Sequence, residues 1–441
     1  MSKRPRDKRD TGHQHAPEGR GRPPGARPRP SGRELAGGAS GPNFVDPNET
    51  IGALMDVFAG QHRLDKVIER RLRANRGWTP IVRGKFVETL HEVVRQWRLR
   101  WSRADLPEGD YLLRVNFARA KEVLEARPRP EEREHAWSEA IRASMPDWLF
   151  QRGTAELGKR WPGLVAALNQ PAPMFLRVNL LRTEPAALVE ALLAEGIRAT
   201  PVPGQPEALL LSARRDVFRS QPFRDGWFEV QDLHSQRVAP FLQVEPGQRV
   251  IDACAGSGGK SLHLAALMRN KGKIIALDTA EWKLTELRRR AARAGVDNLE
   301  ARNLNETPKP GEAARPPRPG VVPRELKRLL GTADRVLVDV PCSGVGVLRR
   351  NPDARWKLGE DELDRLRELQ AQLLRDYSGL AKPGGKLVYA TCSVLPSENE
   401  RQVRDFLAAQ PGWSLEEELR LDPGVDGGDG FYAARLGRAK E

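Results

Sequence analysis

Arg249-Val250-Ile251-Asp252-Ala253-Cys254-Ala255-Gly256-Ser257-Gly258-Gly259-Lys260-Ser261 is the stretch on which the fold turns. Branched apolar residues ending on an acid read as a buried parallel strand. The glycines behind them read as a loop that lets backbone approach a ligand before a helix opens near Ser261 with free N–H groups. A Walker A loop needs glycine five residues ahead of the Gly of Gly-Lys-Ser, and Cys254 stands there. A G-x-G-x-x-G dinucleotide loop takes Gly256 and Gly258, but its third position holds Ser261. What remains is a nucleoside-binding loop of the methyltransferase kind, which calls for an acid at the end of the next strand to take the ribose hydroxyls. Asp278 closes Lys273-Ile274-Ile275-Ala276-Leu277-Asp278 in that place, although a strand-end Asp also serves as a plain helix N-cap.

Outward from this stretch, strands alternate with helices. Arg335 to Asp339 and Lys386 to Ala390 are further apolar runs, and Leu284, Leu287 and Ala291 share one side of a helix over 282–294. The alternation predicts an α/β fold with a mostly parallel, doubly wound sheet over about 236–441, interrupted by a Pro/Arg-rich surface loop from Pro308 to Pro323. Residues 146–235 read as a small α+β unit, with strands at Phe175 to Asn179 and Ala208 to Leu211 and a helix from Pro185 to Glu195. Arg177 and Asn179 on its first strand are either RNA contacts or exposed strand residues, and spacing alone does not decide. Residues 46–145 read as all-helical, from the stripes Ile51, Leu54, Met55, Phe58 and Phe86, Leu90, Val93, Val94, Trp97.

Composition narrows the class. The chain has 441 residues and a formal net charge of +14, which favours a polyanionic partner, RNA above all. Residues 1–45 carry ten Lys/Arg against four Asp/Glu with almost no branched apolar residue, and are expected to be a disordered basic arm. No signal-type or membrane-length apolar run occurs, which leads to the expectation of a soluble cytoplasmic protein. With only three cysteines, none in a C-x-x-C pair, neither a disulfide framework nor a metal site can be written down.

Placing those cysteines is more informative than counting them. Cys254 lies in the glycine loop, Cys342 in Asp339-Val340-Pro341-Cys342-Ser343-Gly344, and Cys392 in Ala390-Thr391-Cys392-Ser393. Each follows a strand, on the edge where doubly wound sheets place their ligands. The order of these loops resembles the RsmB/Nop/Sun family of RNA cytosine carbon-5 methyltransferases, nearest its RsmB branch. The resemblance runs from about residue 146 to the end and includes Leu176-Arg177-Val178-Asn179, Val230-Gln231-Asp232 and Asp429-Gly430-Phe431. It implies a Rossmann-like class I methyltransferase domain preceded by an RRM-like subdomain and a NusB-like helical domain.

The resemblance further implies S-adenosylmethionine as methyl donor, Cys392 as nucleophile toward carbon 6 of cytosine, Cys342 as the residue that assists release, and Asp339 at the ring edge. Cys254, Ala255, Gly256, Ser257, Gly258, Gly259, Lys260, Asp278 and Asp339 are the implied cofactor residues. Two departures stand out: Gly256-Ser257 replaces the usual Ala-Pro, and Asn305 stands where an acid is expected at adenine. Arg349 and Arg350 are expected on substrate phosphate, with a solvated pair as the alternative. The leading expectation is a monomeric rRNA enzyme, acting on 16S rRNA or an assembling small subunit. A tRNA methyltransferase and a non-catalytic assembly factor are the alternatives.

Overall fold

The computed structural model describes residues 45–305 and 324–440. The basic arm over 1–44 and the loop from Pro308 to Pro323 lie outside them. The first half is helical up to Leu168, as the apolar stripes require. Thr79 accepts a hydrogen bond from Val82 N and Pro80 opens the helix Pro80–Arg95, which turns Phe86, Leu90, Val93 and Val94 inward. Phe58 stacks on Trp97 at 3.8 Å between ring centroids at the centre of this bundle. Lys66, Arg71 and Arg73 are taken up by Glu69, Asp56 and Glu49 of the same bundle.

The small unit is built on β1 (Phe175–Val178), β2 (Ala199–Val202), β3 (Gln205–Leu211) and β4 (Phe228–Val230). A helix, Pro185–Ala194, lies between β1 and β2, and a short one, Gln221–Arg224, between β3 and β4. The antiparallel order β2-β3-β1-β4 with this β-α-β-β-α-β succession is the ferredoxin-like arrangement that RRM-like units share.

The large sheet holds β5 (Arg249–Asp252), β6 (Lys273–Asp278), β7 (Leu299–Asn303), β8 (Ala333–Asp339), β9 (Ala381–Thr391), β10 (Trp413–Leu421) and β11 (Phe431–Arg438), ordered β10-β11-β9-β8-β5-β6-β7. From β7 to β9 every pairing is parallel, and β11 alone is reversed, slotted between β9 and β10. Parallel strands need cover on both faces, so β5, β6, β8 and β9 are apolar runs whose central residues are fully buried. The doubly wound expectation holds. Because these four strands run the same way, their C-terminal ends open on one edge, and the loops singled out in the sequence converge there.

Candidate active site

At the end of β5 the chain turns through Gly256 and Gly258, both with positive φ, into the helix Gly259–Leu267. A Cβ on Gly258 would fall 2.6 Å from the Leu287 side chain, so close packing as well as conformation requires glycine there. Asp278 at the end of β6 accepts from Gly256 N at 3.0 Å and from Ala280 N at 2.8 Å, which fixes its carboxylate against the loop. Cys254 is half-buried; burial and then the charge of Asp252 push its thiol far above the ordinary range, so it stays protonated and inert. Burial also raises Asp252 to about 7 despite its bond from Ser261 Oγ.

The reactive end of the site lies one strand further. Lys260 Nζ is 2.6 Å from Asp339 Oδ2 at the end of β8 and 5.4 Å from the centroid of the Phe431 ring. Burial acts to lower the Lys260 ammonium, but Asp339 outweighs it by charge and hydrogen bond and holds it above its usual value. Cys342 Sγ and Cys392 Sγ, 50 residues apart in sequence, lie 3.3 Å apart. The hydrogen bond with Cys392, then burial, push the Cys342 thiol well above its ordinary range. Either sulfur can donate to the other across this contact.

Gly346 allows this approach of loops: its N–H donates to Cys392 O at 3.0 Å, its carbonyl accepts from Gly430 N at 2.8 Å, and a Cβ would strike both backbones. Asn305, after β7, is exposed; its amide Nδ2 donates to Thr279 O at 2.8 Å, which leaves Oδ1 as an acceptor beside the Asp278 loop.

Four expected RNA contacts are placed otherwise. Arg177 is 3% exposed and donates through Nη1 to Gly259 O at 2.7 Å and to Gln231 Oε1; burial lowers it to about 10. Asn179, 6% exposed, donates to Gly226 O and Ala294 O, both at 2.8 Å. Both side chains join the small unit to the helices Gly259–Leu267 and Glu281–Ala294 instead of facing solvent. Arg349 is 4% exposed and spans Gly428 O and Pro171 O. Arg350 binds Asp429 Oδ2, Pro173 O and Asp232 Oδ2. Neither arginine is a solvated pair: carbonyls and a carboxylate from three segments take the Nη donors of both. Asp232 and Asp429, which carried part of the resemblance, are thus the counter-charges of Arg350.

Sequence reasoning missed Glu398. It is fully buried and accepts from Ser343 N at 2.8 Å, Ser393 Oγ at 2.5 Å, Gln370 Nε2 at 2.9 Å and Ser343 Oγ. Its only sequence signal is that it lies six residues after Cys392.

The chain is similar to known methyltransferases. Residues 239–437 match the family model described as 16S rRNA methyltransferase RsmB/F, and residues 145–218 match the ferredoxin-like domain of RsmF/B-like methyltransferases. Ribosomal RNA small subunit methyltransferase B of Klebsiella pneumoniae is 34% identical over 300 residues, 66% of this chain and 65% of that protein. Its counterpart in Salmonella arizonae is 34% identical over 298 residues, 66% of each chain. The aligned part thus spans just under two thirds of these relatives. Among solved structures, a methyltransferase homolog from Pyrococcus horikoshii covers 68% of this chain and 97% of its own, with 26% identity and a TM-score of 0.56. NSun6 from the same organism, solved with SFG, covers 67% and 99% with a TM-score of 0.58; at 21% identity it speaks to the fold alone.

Proposed function

From the premise that the chain belongs to the RsmB/F family of methyltransferases, we propose that it methylates carbon 5 of a cytosine in small-subunit ribosomal RNA, using S-adenosylmethionine and a covalent adduct at Cys392. The observation that carries this reading is the pair of sulfurs 3.3 Å apart beside the Lys260–Asp339 pair, at the strand ends next to the glycine loop. The residues fit the cofactor: a carboxylate, Asp278, is fixed against the glycine loop, where it would accept from ribose hydroxyls, and a glycine backbone has no side chain to obstruct the approach. When bound there, S-adenosylmethionine supplies an electrophilic methyl group.

Carbon 5 of cytosine is a weak nucleophile until its aromaticity is broken. Cys392, as thiolate, forms a bond to carbon 6, and the ring electrons move toward nitrogen 3, where Asp339 with Lys260 meets the ring edge. Carbon 5 then takes the methyl group. Once Cys392 has become a thioether, the thiol contact that leads in raising Cys342 is lost. Cys342 gives its proton to solvent and, as thiolate, takes the proton leaving carbon 5; the electron pair left behind restores the carbon 5–carbon 6 double bond as the bond from carbon 6 to sulfur breaks and returns Cys392 as thiolate. The family resemblance assigns Cys342 to release and Cys392 to attack, and the 3.3 Å contact between the sulfurs supports their acting as a pair.

The helices before β1 serve as an RNA-binding domain of NusB-like kind in this reading, and the enzyme works as a cytoplasmic monomer on RNA of the assembling subunit. The target base is flipped from its stack to reach the sulfurs. Cys342→Ala is expected to accumulate a protein–RNA adduct, seen as a slow band in a denaturing gel, and Cys392→Ala to form none and to lose methylation. A Cys392→Ala protein that still methylates RNA overturns the mechanism. Bisulfite sequencing of rRNA and tRNA from cells lacking the protein identifies the substrate: loss of one protected cytosine in 16S rRNA is expected, and loss in tRNA instead rejects the rRNA assignment.

A further inference from the structure

Each catalytic cysteine is followed by a serine, and both serines converge on one carboxylate. Ser343, after Cys342, gives Glu398 its backbone N–H and its hydroxyl; Ser393, after Cys392, gives its hydroxyl to the same Oε2. Gln370 Nε2 supplies a further donor to Oε1 and also donates to Pro341 O at 3.1 Å, so it holds the start of the Cys342 loop as well. Among the described residues no Lys or Arg lies within ion-pair distance of Glu398, and the side chain is fully buried. A buried carboxylate met only by neutral donors is costly unless every donor is well placed, and here each donor belongs to, or holds, a loop that carries a thiol. Tyr389 OH, on β9, donates to the backbone carbonyl of Glu398 at 2.6 Å, and Asn399 next to it binds Thr391 Oγ1 and Ser393 O. The carboxylate is therefore itself fixed to the strand that ends at Cys392.

We infer that Glu398 is a positioning residue that clasps the two cysteine loops through Ser343 and Ser393 and so sets the separation of Cys342 and Cys392. It touches neither substrate nor sulfur. Its significance for catalysis rests on reading that pair as nucleophile and release residue, but the clasp itself can be tested without any methylation. The oxidant diamide removes two hydrogens from a pair of neighbouring thiols and leaves a disulfide, so the rate of crosslinking between Cys342 and Cys392 reports how often the sulfurs meet. Peptide mapping identifies the bond and excludes Cys254.

In the full-length protein, Glu398→Ala is expected to slow this crosslinking about tenfold or more, since a displacement near 1 Å between reacting groups costs up to a hundredfold. Glu398→Gln keeps the size, the acceptor toward Ser343 N and a polar group toward the hydroxyls, and is expected to restore the rate to within about threefold of the native protein. In methylation assays Glu398→Ala lowers kcat while the KM for RNA and for S-adenosylmethionine stays unchanged. A soluble, folded Glu398→Ala protein that crosslinks at the native rate overturns the inference. Should that variant not fold, Ser393→Ala removes a single donor and carries the same test, with native-rate crosslinking again overturning the clasp. A normal clasp in a protein that never methylates RNA would instead reject the proposed function and leave the clasp standing.

Discussion

His263 lies on the helix behind the glycine loop, 2% exposed, with Nε2 2.9 Å from Glu207 Oε2 on β3. The contact has the form of an ion pair, yet burial, then the charge of Arg177, lower the imidazole to about 4, and Glu207 does not reverse this. The ring is therefore neutral near pH 7 and donates Nε2–H to the carboxylate. An unfolded histidine titrates near 6.5, so the native state binds fewer protons than the unfolded one between these values. The stability that the neutral ring contributes is complete above about 6.5 and is lost as pH falls toward 4, at about 1.4 kcal/mol per pH unit. His263→Gln cannot take up that proton. Its deficit against the native protein at pH 7.5 is expected to shrink by about 2 kcal/mol at pH 4.5, read from urea unfolding at the two values. An unchanged deficit would mean that the ring is already charged in the folded state.

At the scale of elements, the small sheet has a task the sequence did not announce. The carbonyls of the glycine loop are held from behind, Gly259 O by Arg177 of β1 and Ser257 O by Arg290, at 2.7 Å each. Arg290 in turn is bound by Glu229 of β4 at 2.9 Å. The ferredoxin-like unit thereby shapes the glycine loop. Arg177→Met keeps most of the length and removes the donors, so we expect S-adenosylmethionine affinity to fall about tenfold by calorimetry while RNA affinity is unchanged. Weaker RNA binding with native cofactor affinity would return Arg177 to the RNA surface. The strands themselves were legible, because a parallel strand buried on both faces must be an apolar run, as in β5, β6, β8 and β9. Polar residues on strands were not. Arg177 finds its acceptors 54 and 82 residues away, and Arg350 finds Asp232 and Asp429 at 118 and 79, separations that no local pattern encodes. Glu398 escaped for the same reason: a lone glutamate near a helix start declares nothing until two loops fold onto it.

At the scale of the molecule, the loop that carries Cys342 is held between the helical half and the large sheet. Beyond Leu348 it lends Trp356 to the core of the N-terminal bundle, where the indole Nε1 donates to Val94 O at 2.7 Å and the ring meets Tyr111 edge-on at 5.9 Å. Asp353 accepts from Leu64 N at 3.0 Å and Arg95 donates to Arg349 O at 3.2 Å, so polar contacts surround the aromatic one. Leu149, Trp161 and Leu164, from the helices just before β1, pack on Val345, Leu348 and Leu395 of both cysteine loops. The bundle core thus lacks a wall without the Cys342 loop, and the loop lacks its backing without the bundle. One cooperative unfolding transition follows for the described residues, although sequence alone marks three units there, 46–145, 146–235 and 236–441. Trp356→Ala leaves a cavity at the junction and is expected to cost about 3–5 kcal/mol and to split that transition in calorimetry, with the bundle melting first. Turnover should fall while S-adenosylmethionine affinity holds, because the glycine loop and Asp278 are braced by the small sheet on the other side. A single transition with a loss below about 1 kcal/mol would show that the polar contacts alone join the two halves.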